Sequence, residues 1–178
     1  MNAVNQQERF PTEEQKRWFL AGFIEGEGSL CVSIKYHPTS KFGFLVDPEF
    51  FLYQHKSGIK MLEMACEVFG TGKIYPKPGN EDVLVFSIVS RRSLVEKVIP
   101  FYERYMRLSA KWSVYLRFRE ILEAFERKEH LDKNGLVAIV KKAYAMNPAS
   151  KGKERKRTLE EVIGKILRDY TLDPPREG

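Results

Sequence analysis

The chain has 178 residues, with 30 lysines and arginines against 24 aspartates and glutamates, a formal net charge of +6 and a pI near 9.2. Its 43% hydrophobic and 12% aromatic content excludes a disordered chain, and it has no apolar run long enough to span a bilayer. The N-terminal MNAVNQQERF lacks the apolar stretch of a secretory signal, so we expect neither export nor a membrane partner. The basic charge favours a polyanionic partner, although composition alone leaves that open.

The cysteines point to a reducing compartment. Cys31 and Cys66 have no zinc-type spacing with each other or with the histidines. We therefore expect free thiols in an intracellular protein, without distinguishing cytoplasm from organelle.

The first half of the chain predicts two helix, strand, strand units. A helix begins at Thr12, which forms a capping box with Gln15, and it ends before Gly28. Apolar residues then alternate with polar ones over 29–37, and a second strand covers 44–54. A helix over 57–69 stops at Gly70.

The second unit continues with a hairpin in GKIYPKPGNEDVLVFSIVS, whose turn is predicted at Pro78, Gly79 and Asn80. Helices are expected over 91–105, interrupted near Pro100, and over 109–128. This order predicts an α+β fold, an αββαββα arrangement with a four-stranded antiparallel sheet. Its helices pack on one face and leave the other face free.

A C-terminal helical extension follows. We divide the chain into a core, residues 1–130, and an extension, residues 131–178, with a helix at 134–146, a basic linker and a last helix. Thr158 and Glu161 form the capping box of that last helix, and its apolar stripe must dock on another part of the protein.

The stretch FLAGFIEGEGSL at the end of the first helix carries the most specific signal. Gly22 and Gly26 lie four residues apart on one helical face, where a partner helix could approach closely. Glu25 and Glu27 lie in the last turn, where the helix dipole disfavours anions. A hard divalent cation would reverse that penalty, and two such helices meeting would form a candidate two-metal site for phosphodiester cleavage. Solvated surface glutamates are the alternative.

Residues 20–28, LAGFIEGEG, resemble the signature of the LAGLIDADG homing endonucleases, DNA-cutting enzymes associated with introns or inteins. The resemblance covers about residues 12–128, with the strands and helices in the family's order. It implies that Glu27 is catalytic and binds the metal, with the Gly26 carbonyl as a further ligand. Gly22, Gly26 and Glu25 would lie in the dimer interface.

The resemblance also implies a polar residue at the end of the second strand and a lysine near the start of a late helix, both near the hydrolytic water. Gln54 and Lys111 fit these catalytic positions, with Arg107 as the alternative to Lys111. Ordinary solvated side chains are the alternative reading of both.

DNA recognition is expected on the free face of the sheet, which can lie along a major groove. The residues placed there by alternation are Ser33, Lys35 and His37 in the first strand, Glu49 and Phe51 in the second, and Lys73, Tyr75 and Lys77 in the third. The linker would add phosphate contacts from Lys151, Lys153, Arg155, Lys156 and Arg157, or it is simply a solvated linker.

One motif in one chain implies a homodimer acting on a long, nearly palindromic target. The expected function is a Mg²⁺-dependent, intron-encoded, site-specific endonuclease of double-stranded DNA, with Ca²⁺ or Mn²⁺ as substitutes for Mg²⁺. Two alternatives stay open: a non-cleaving binder such as an intron RNA maturase, and a monomeric basic domain.

Overall fold

A computed structural model describes residues 11–146 and 156–168 of the chain. In chain order its elements are α1 (Glu13–Glu27), β1 (Gly28–Tyr36), β2 (Phe44–His55), α2 (Ile59–Phe69), β3 (Lys73–Lys77), β4 (Asn80–Ile88), α3 (Arg91–Ser93), a π-helical turn (Leu94–Val98), α4 (Ile99–Tyr105), α5 (Trp112–Glu126), α6 (Lys133–Met146) and α7 (Leu159–Leu167), with 3₁₀ turns at Lys56–Gly58 and Glu129–Leu131.

The predicted capping boxes are confirmed at both α1 and α7. Thr12 accepts from the Gln15 backbone N–H while the Gln15 side chain accepts from the Thr12 N–H. Thr158 and Glu161 make the same reciprocal pair. Each box satisfies N–H groups that the first helical turn leaves without a partner, which fixes where these helices begin.

The four strands form one antiparallel sheet in the order β1-β2-β4-β3, so the predicted fold class is confirmed. The helices contact one face of this sheet, where Leu30, Phe50, Leu52 and Phe86 are buried. The opposite face, which we call the outer face, carries the odd-numbered residues of β1 and β2 and their partners on β3 and β4.

The C-terminal extension joins the same hydrophobic core. Helix α6 packs on α5 and β1, and α7 packs on α6. Val162 and Ile166 of the apolar stripe are buried against this layer, whereas Leu167 is 48% exposed. The stripe therefore docks on the helical side, beside the β1 edge of the sheet. The division at residue 130 stays a prediction.

Several sequence-based boundaries were wrong. The irregularity predicted near Pro100 lies earlier, in the π-helical turn Leu94–Val98. Pro100 is the second residue of α4, where the helix tolerates a residue without a backbone N–H. Asn80 already belongs to β4, so the hairpin turn is Pro78 and Gly79, the latter with a φ of 79°. Helix α5 starts at Trp112 rather than at residue 109.

None of the described helices has the length and apolarity needed to cross a bilayer.

Two buried tyrosines make the fold sensitive to high pH. The rings of Tyr102 and Tyr115 stack with centroids 5.2 Å apart, and both side chains are inaccessible. Burial raises the pKa of Tyr102, and burial together with donation to Glu103 raises the pKa of Tyr115 to about 12. Unfolded tyrosine ionises near pH 10, so above that pH the unfolded state holds fewer protons than the folded state.

The free energy of unfolding should therefore fall as the pH rises from about 10 towards 12. Denaturant titrations across this range measure the fall. The Tyr115→Phe chain should show a shallower dependence because one of the two buried tyrosines is gone. An unchanged slope in that variant would contradict the assignment.

Candidate functional site

Two glycines leave the exposed face of α1 without side chains. Gly22 and Gly26 are exposed, and a Cβ added at either would meet no heavy atom within 4 Å. Large apolar side chains surround this strip: Trp18 is 54% exposed, Phe19 62%, and Leu108 fully. Glycine in a helix interior costs about 1 kcal/mol relative to alanine, and nothing in the described chain requires it here. The face is therefore suited to close packing against another body.

Glu25 fastens the loop before α5 to the end of α1. Its carboxylate accepts from the Ser109 hydroxyl at 2.5 Å and from the Ala110 N–H at 3.1 Å. The Ser109 oxygen in turn accepts from the Lys111 N–H at 2.9 Å. These bonds lie within one chain and fix the backbone from which the Lys111 side chain extends.

Lys111 reaches from the start of α5 to the last turn of α1. Its Nζ donates to the Ile24 carbonyl at 3.0 Å and to the Gly28 carbonyl at 2.7 Å. A cation at this position complements the negative end of the α1 dipole. Burial lowers the pKa of the ammonium, while the charges of Glu25 and Glu27 act in the opposite direction. The predicted catalytic lysine is thus half-buried beside Glu27.

Glu27 ends α1 as an exposed side chain, and no described residue donates a hydrogen bond to its carboxylate. The Gly26 carbonyl has no i+4 partner within the helix, because α1 stops at Glu27. Among the described residues of one chain, no three acidic, histidine or cysteine side chains lie close enough together to hold a metal ion. One chain therefore supplies a carboxylate and a carbonyl, which are suitable oxygen ligands for a hard divalent cation but do not complete its shell.

Gln54 and the C-terminal end of α1 lie at the same end of the sheet. Gly28 pairs with Leu52, two residues before Gln54 on β2. The Gln54 Oε1 accepts from the His55 N–H at 2.8 Å. The Gln54 side chain packs on Gly58, where an added Cβ would lie 2.8 Å from Gln54 Cγ. Arg107, the alternative to Lys111, is exposed and donates from Nε to the Glu103 carbonyl of α4.

Replacing Lys111 by methionine should impair both folding and chemistry. The substitution removes the two hydrogen bonds from the Lys111 Nζ, although the Ile24 carbonyl still accepts from the Gly28 N–H. This loss should cost about 1–2 kcal/mol in the free energy of unfolding. Loss of a positioned cation near a reacting phosphate should also slow cleavage at saturating DNA by about a hundredfold or more. Lys142→Met, which breaks a surface pair with Glu120, is the control and should leave the rate unchanged. If the Lys111→Met chain cuts at the normal rate, Lys111 takes no part in the cleavage reaction.

The outer face of the sheet brings together seven of the eight residues predicted to face DNA. Ser33, Lys35, Glu49, Phe51, Lys73, Tyr75 and Lys77 lie there. Tyr53 extends the aromatic patch, since the Lys77 Nζ lies 5.7 Å from its ring centroid. This face therefore offers apolar, cationic and acidic groups together.

His37 was wrongly predicted as a strand residue of this face. Strand β1 ends at Tyr36, and the His37 N–H donates to the Gly43 carbonyl at 2.9 Å to close the connection to β2. Its ring lies in the exposed turn, where Nδ1 is 3.0 Å from the Thr39 hydroxyl. Alternation fails here because the chain leaves the strand one residue earlier.

The C-terminal extension adds cations at the β1 edge. Lys156 and Arg157 line a groove that also includes Ser33 and Lys35. The Arg157 guanidinium lies 5.6 Å, and the Lys165 Nζ 5.1 Å, from the ring centroid of Tyr36. The predicted basic residues Lys151, Lys153 and Arg155 lie outside the described residues.

Sequence reasoning missed three contributors. Ser109 positions Glu25 and Lys111. Asp47 pairs with Lys35 on the outer face. The Tyr36 ring contacts two cations of the extension. Strict alternation along β2 would have placed Asp47 beside Glu49. The roles of Ser109 and Tyr36 depend on contacts between distant parts of the chain, for which the local sequence carries no signal.

Comparison with known proteins identifies a family and several relatives of this chain. The LAGLIDADG endonuclease family model matches residues 20–122. The chain is 48% identical over 126 residues to DNA endonuclease I-CeuI of Chlamydomonas moewusii, an alignment covering 69% of this chain and 58% of that protein. It is 32% identical over 161 residues to homing endonuclease I-ApeII of Aeropyrum pernix, covering 89% and 95% of the two chains.

Solved structures give the same result. The fold matches the intron-encoded homing endonuclease I-CeuI complexed with DNA with a TM-score of 0.81 and 39% identity, covering 89% of this chain and 79% of that one. It matches the archaeal intron-encoded homing endonuclease I-Vdi141I complexed with DNA with a TM-score of 0.79 and 35% identity, covering 87% and 96%.

Proposed function

This chain belongs to the LAGLIDADG endonuclease family, and on that basis we propose that two copies of it form a site-specific endonuclease that cuts both strands of a DNA duplex with the help of divalent cations. The target is nearly palindromic, because a dimer with twofold symmetry presents the same reading surface to each half-site.

One observation carries the proposal: the exposed glycine face of α1 ends in Glu27 beside Lys111. Gly22 and Gly26 have room for a second helix against the backbone. We infer that the two α1 helices pack there in parallel, about a twofold axis along the pair, so that both Glu27 carboxylates come to the same end. Glu25, which lines the groove beside Gly22, then flanks the interface while it holds the α5 loop.

The divalent cation would be held by Glu27 and the Gly26 carbonyl of each copy, with phosphate oxygens and water as further ligands. When bound, it would supply Lewis-acid stabilisation of the phosphate and activation of water. The hard oxygen ligands favour Mg²⁺, and Mn²⁺ or Ca²⁺ would occupy the same site. A related structure, of I-SmaMI at 29% identity and a TM-score of 0.71, was solved on uncleaved DNA in the presence of calcium ions.

The side chains around Glu27 have distinct tasks. Lys111 places a positive charge where negative charge builds up on the phosphate, and Glu25 with Ser109 holds it in place. Gln54, at the same end of the sheet, orients water through its amide. Lys111 does not need to give up its proton in this role, since a fixed charge is sufficient.

The outer face of the sheet meets the major groove, and cations at its edge contact phosphates. Lys73, Tyr75 and Lys77 are exposed on the β3 side, while Lys156 and Arg157 flank the β1 side, with Lys151, Lys153 and Arg155 preceding them in the chain. Such contacts are independent of sequence and weaken with added salt. The relatives named above are described as endonucleases, so the maturase alternative is not favoured.

The test is cleavage of a randomised duplex library by the purified chain with Mg²⁺, with a chelator as the control. The proposal expects a small set of nearly palindromic sites to be cut on both strands, only with the metal. A folded chain that cuts no library member with Mg²⁺ or Mn²⁺ would refute it.

A further inference from the structure

Two acidic side chains interrupt the outer face of the sheet, where a surface that meets phosphates should avoid them. Asp47 and Glu49 both project from β2 on that face, next to Lys35 of β1. Each carboxylate would repel a DNA backbone unless it is neutralised or meets a donor on a base. The two acids differ in how far the chain itself satisfies them.

The Glu49 carboxylate has its partners within the chain. Its side chain is only 13% exposed, accepts a hydrogen bond from Ser33 and lies 3.7 Å from the Lys35 Nζ. Asp47 projects further, at 44% exposure, and its Oδ2 accepts from the Lys35 Nζ at 3.2 Å, while Lys35 is 57% exposed. Glu49 is thus a positioning residue, and Asp47 with Lys35 forms an outward-facing pair of opposite charges.

The charges of this pair are complementary to one edge of a base pair. In the major groove a G·C pair presents two adjacent acceptors, guanine N7 and O6, followed by the cytosine N4 donor. An ammonium can donate to the two acceptors while a carboxylate beside it accepts from N4. An A·T pair has its donor, adenine N6, between two acceptors, so the ammonium would meet that donor and the carboxylate would lie against thymine O4, which repels it.

We propose that Lys35 and Asp47 together read one G·C base pair in each half-site of the DNA target, with Lys35 on guanine and Asp47 on cytosine. This inference rests on the proposed function, because it assigns base recognition to the face that meets the DNA. It also explains why a basic chain keeps an exposed acid at that position.

The test is a binding profile over all single-base-pair variants of the cleaved site, measured with Ca²⁺ as the probe cation so that cutting is slow. The unchanged chain should prefer G·C at one pair per half-site by at least about fivefold, which corresponds to about 1 kcal/mol. Asp47→Ala should abolish most of that preference, leave the other positions unchanged, and not weaken binding to random duplex.

Glu120→Ala is the matched control, since it removes the acid of an exposed lysine pair on the helical side, where Glu120 lies 2.8 Å from Lys142. Its profile should equal that of the unchanged chain. If the Asp47→Ala profile keeps its G·C preference, or changes equally at every position, the inference is overturned while the proposed function stands. If the unchanged chain binds no duplex selectively, both are overturned.

Discussion

The Glu27→Gln chain should bind its target and fail to cut it. Glutamine has nearly the same shape but lacks the negative charge with which Glu27 is proposed to attract a divalent cation to the end of α1. A bound metal contributes several kcal/mol to stabilising the reacting phosphate, so the single-turnover rate should fall by about a thousandfold or more. Binding should change little, because the proposed DNA contacts come from the sheet face and its flanking cations.

Glu126 offers a control of the same residue type in the same setting. It is the exposed last residue of α5, a helix of 15 residues like α1. Glu126→Gln should leave both rate and affinity unchanged. Cutting by Glu27→Gln at a tenth of the normal rate or faster would show, by the same energy scale, that the metal is not held by this carboxylate.

The second large effect concerns assembly: Gly22→Leu should produce a stable, inactive monomer. The added side chain meets no heavy atom near its Cβ within the chain, and leucine favours the helix by up to about 1 kcal/mol over glycine. Across a helix pair, however, the side chain appears twice, and overpacking costs roughly 1–3 kcal/mol per site. Dimer affinity should fall by about a hundredfold or more, and cleavage with it.

Sedimentation across a range of concentrations, combined with urea unfolding, measures both effects. Gly164→Leu is the control, because Gly164 is also helical, exposed and without neighbours within 4 Å, but lies in α7. It should leave dimerisation and cutting intact. A Gly22→Leu chain that dimerises as tightly as the unchanged one would place the interface elsewhere.

Local patterns in the sequence predicted the elements that local physics determines. The Thr12 capping box set the start of α1, and alternation in β1 and β2 set which residues reach the outer face. The glycines of α1 also stood out without a structure, since their helical cost has no local compensation. Each of these features is determined by residues that lie within a few positions of one another in the sequence.

The features of the site that the sequence did not predict depend on contacts between distant segments of the chain. Neither the donation of Lys111 to the carbonyls of α1 nor the anchoring of the loop by Glu25 has a local signature, because the partners are more than 80 residues apart. The pairing of Lys35 with Asp47 required the register of β1 on β2. His37 was misplaced because a turn, rather than a strand pattern, decides where β1 ends.

We expect two copies to meet along α1 and to hold divalent cations with Glu27 over the DNA. Anomalous X-ray scattering from crystals grown with the cleaved duplex and Mn²⁺ measures this most directly. The expected result is two protein chains per duplex and a manganese peak about 2.1 Å from a Glu27 carboxylate oxygen of each chain. Manganese bound away from both Glu27 side chains, or one chain alone on the duplex, would contradict it.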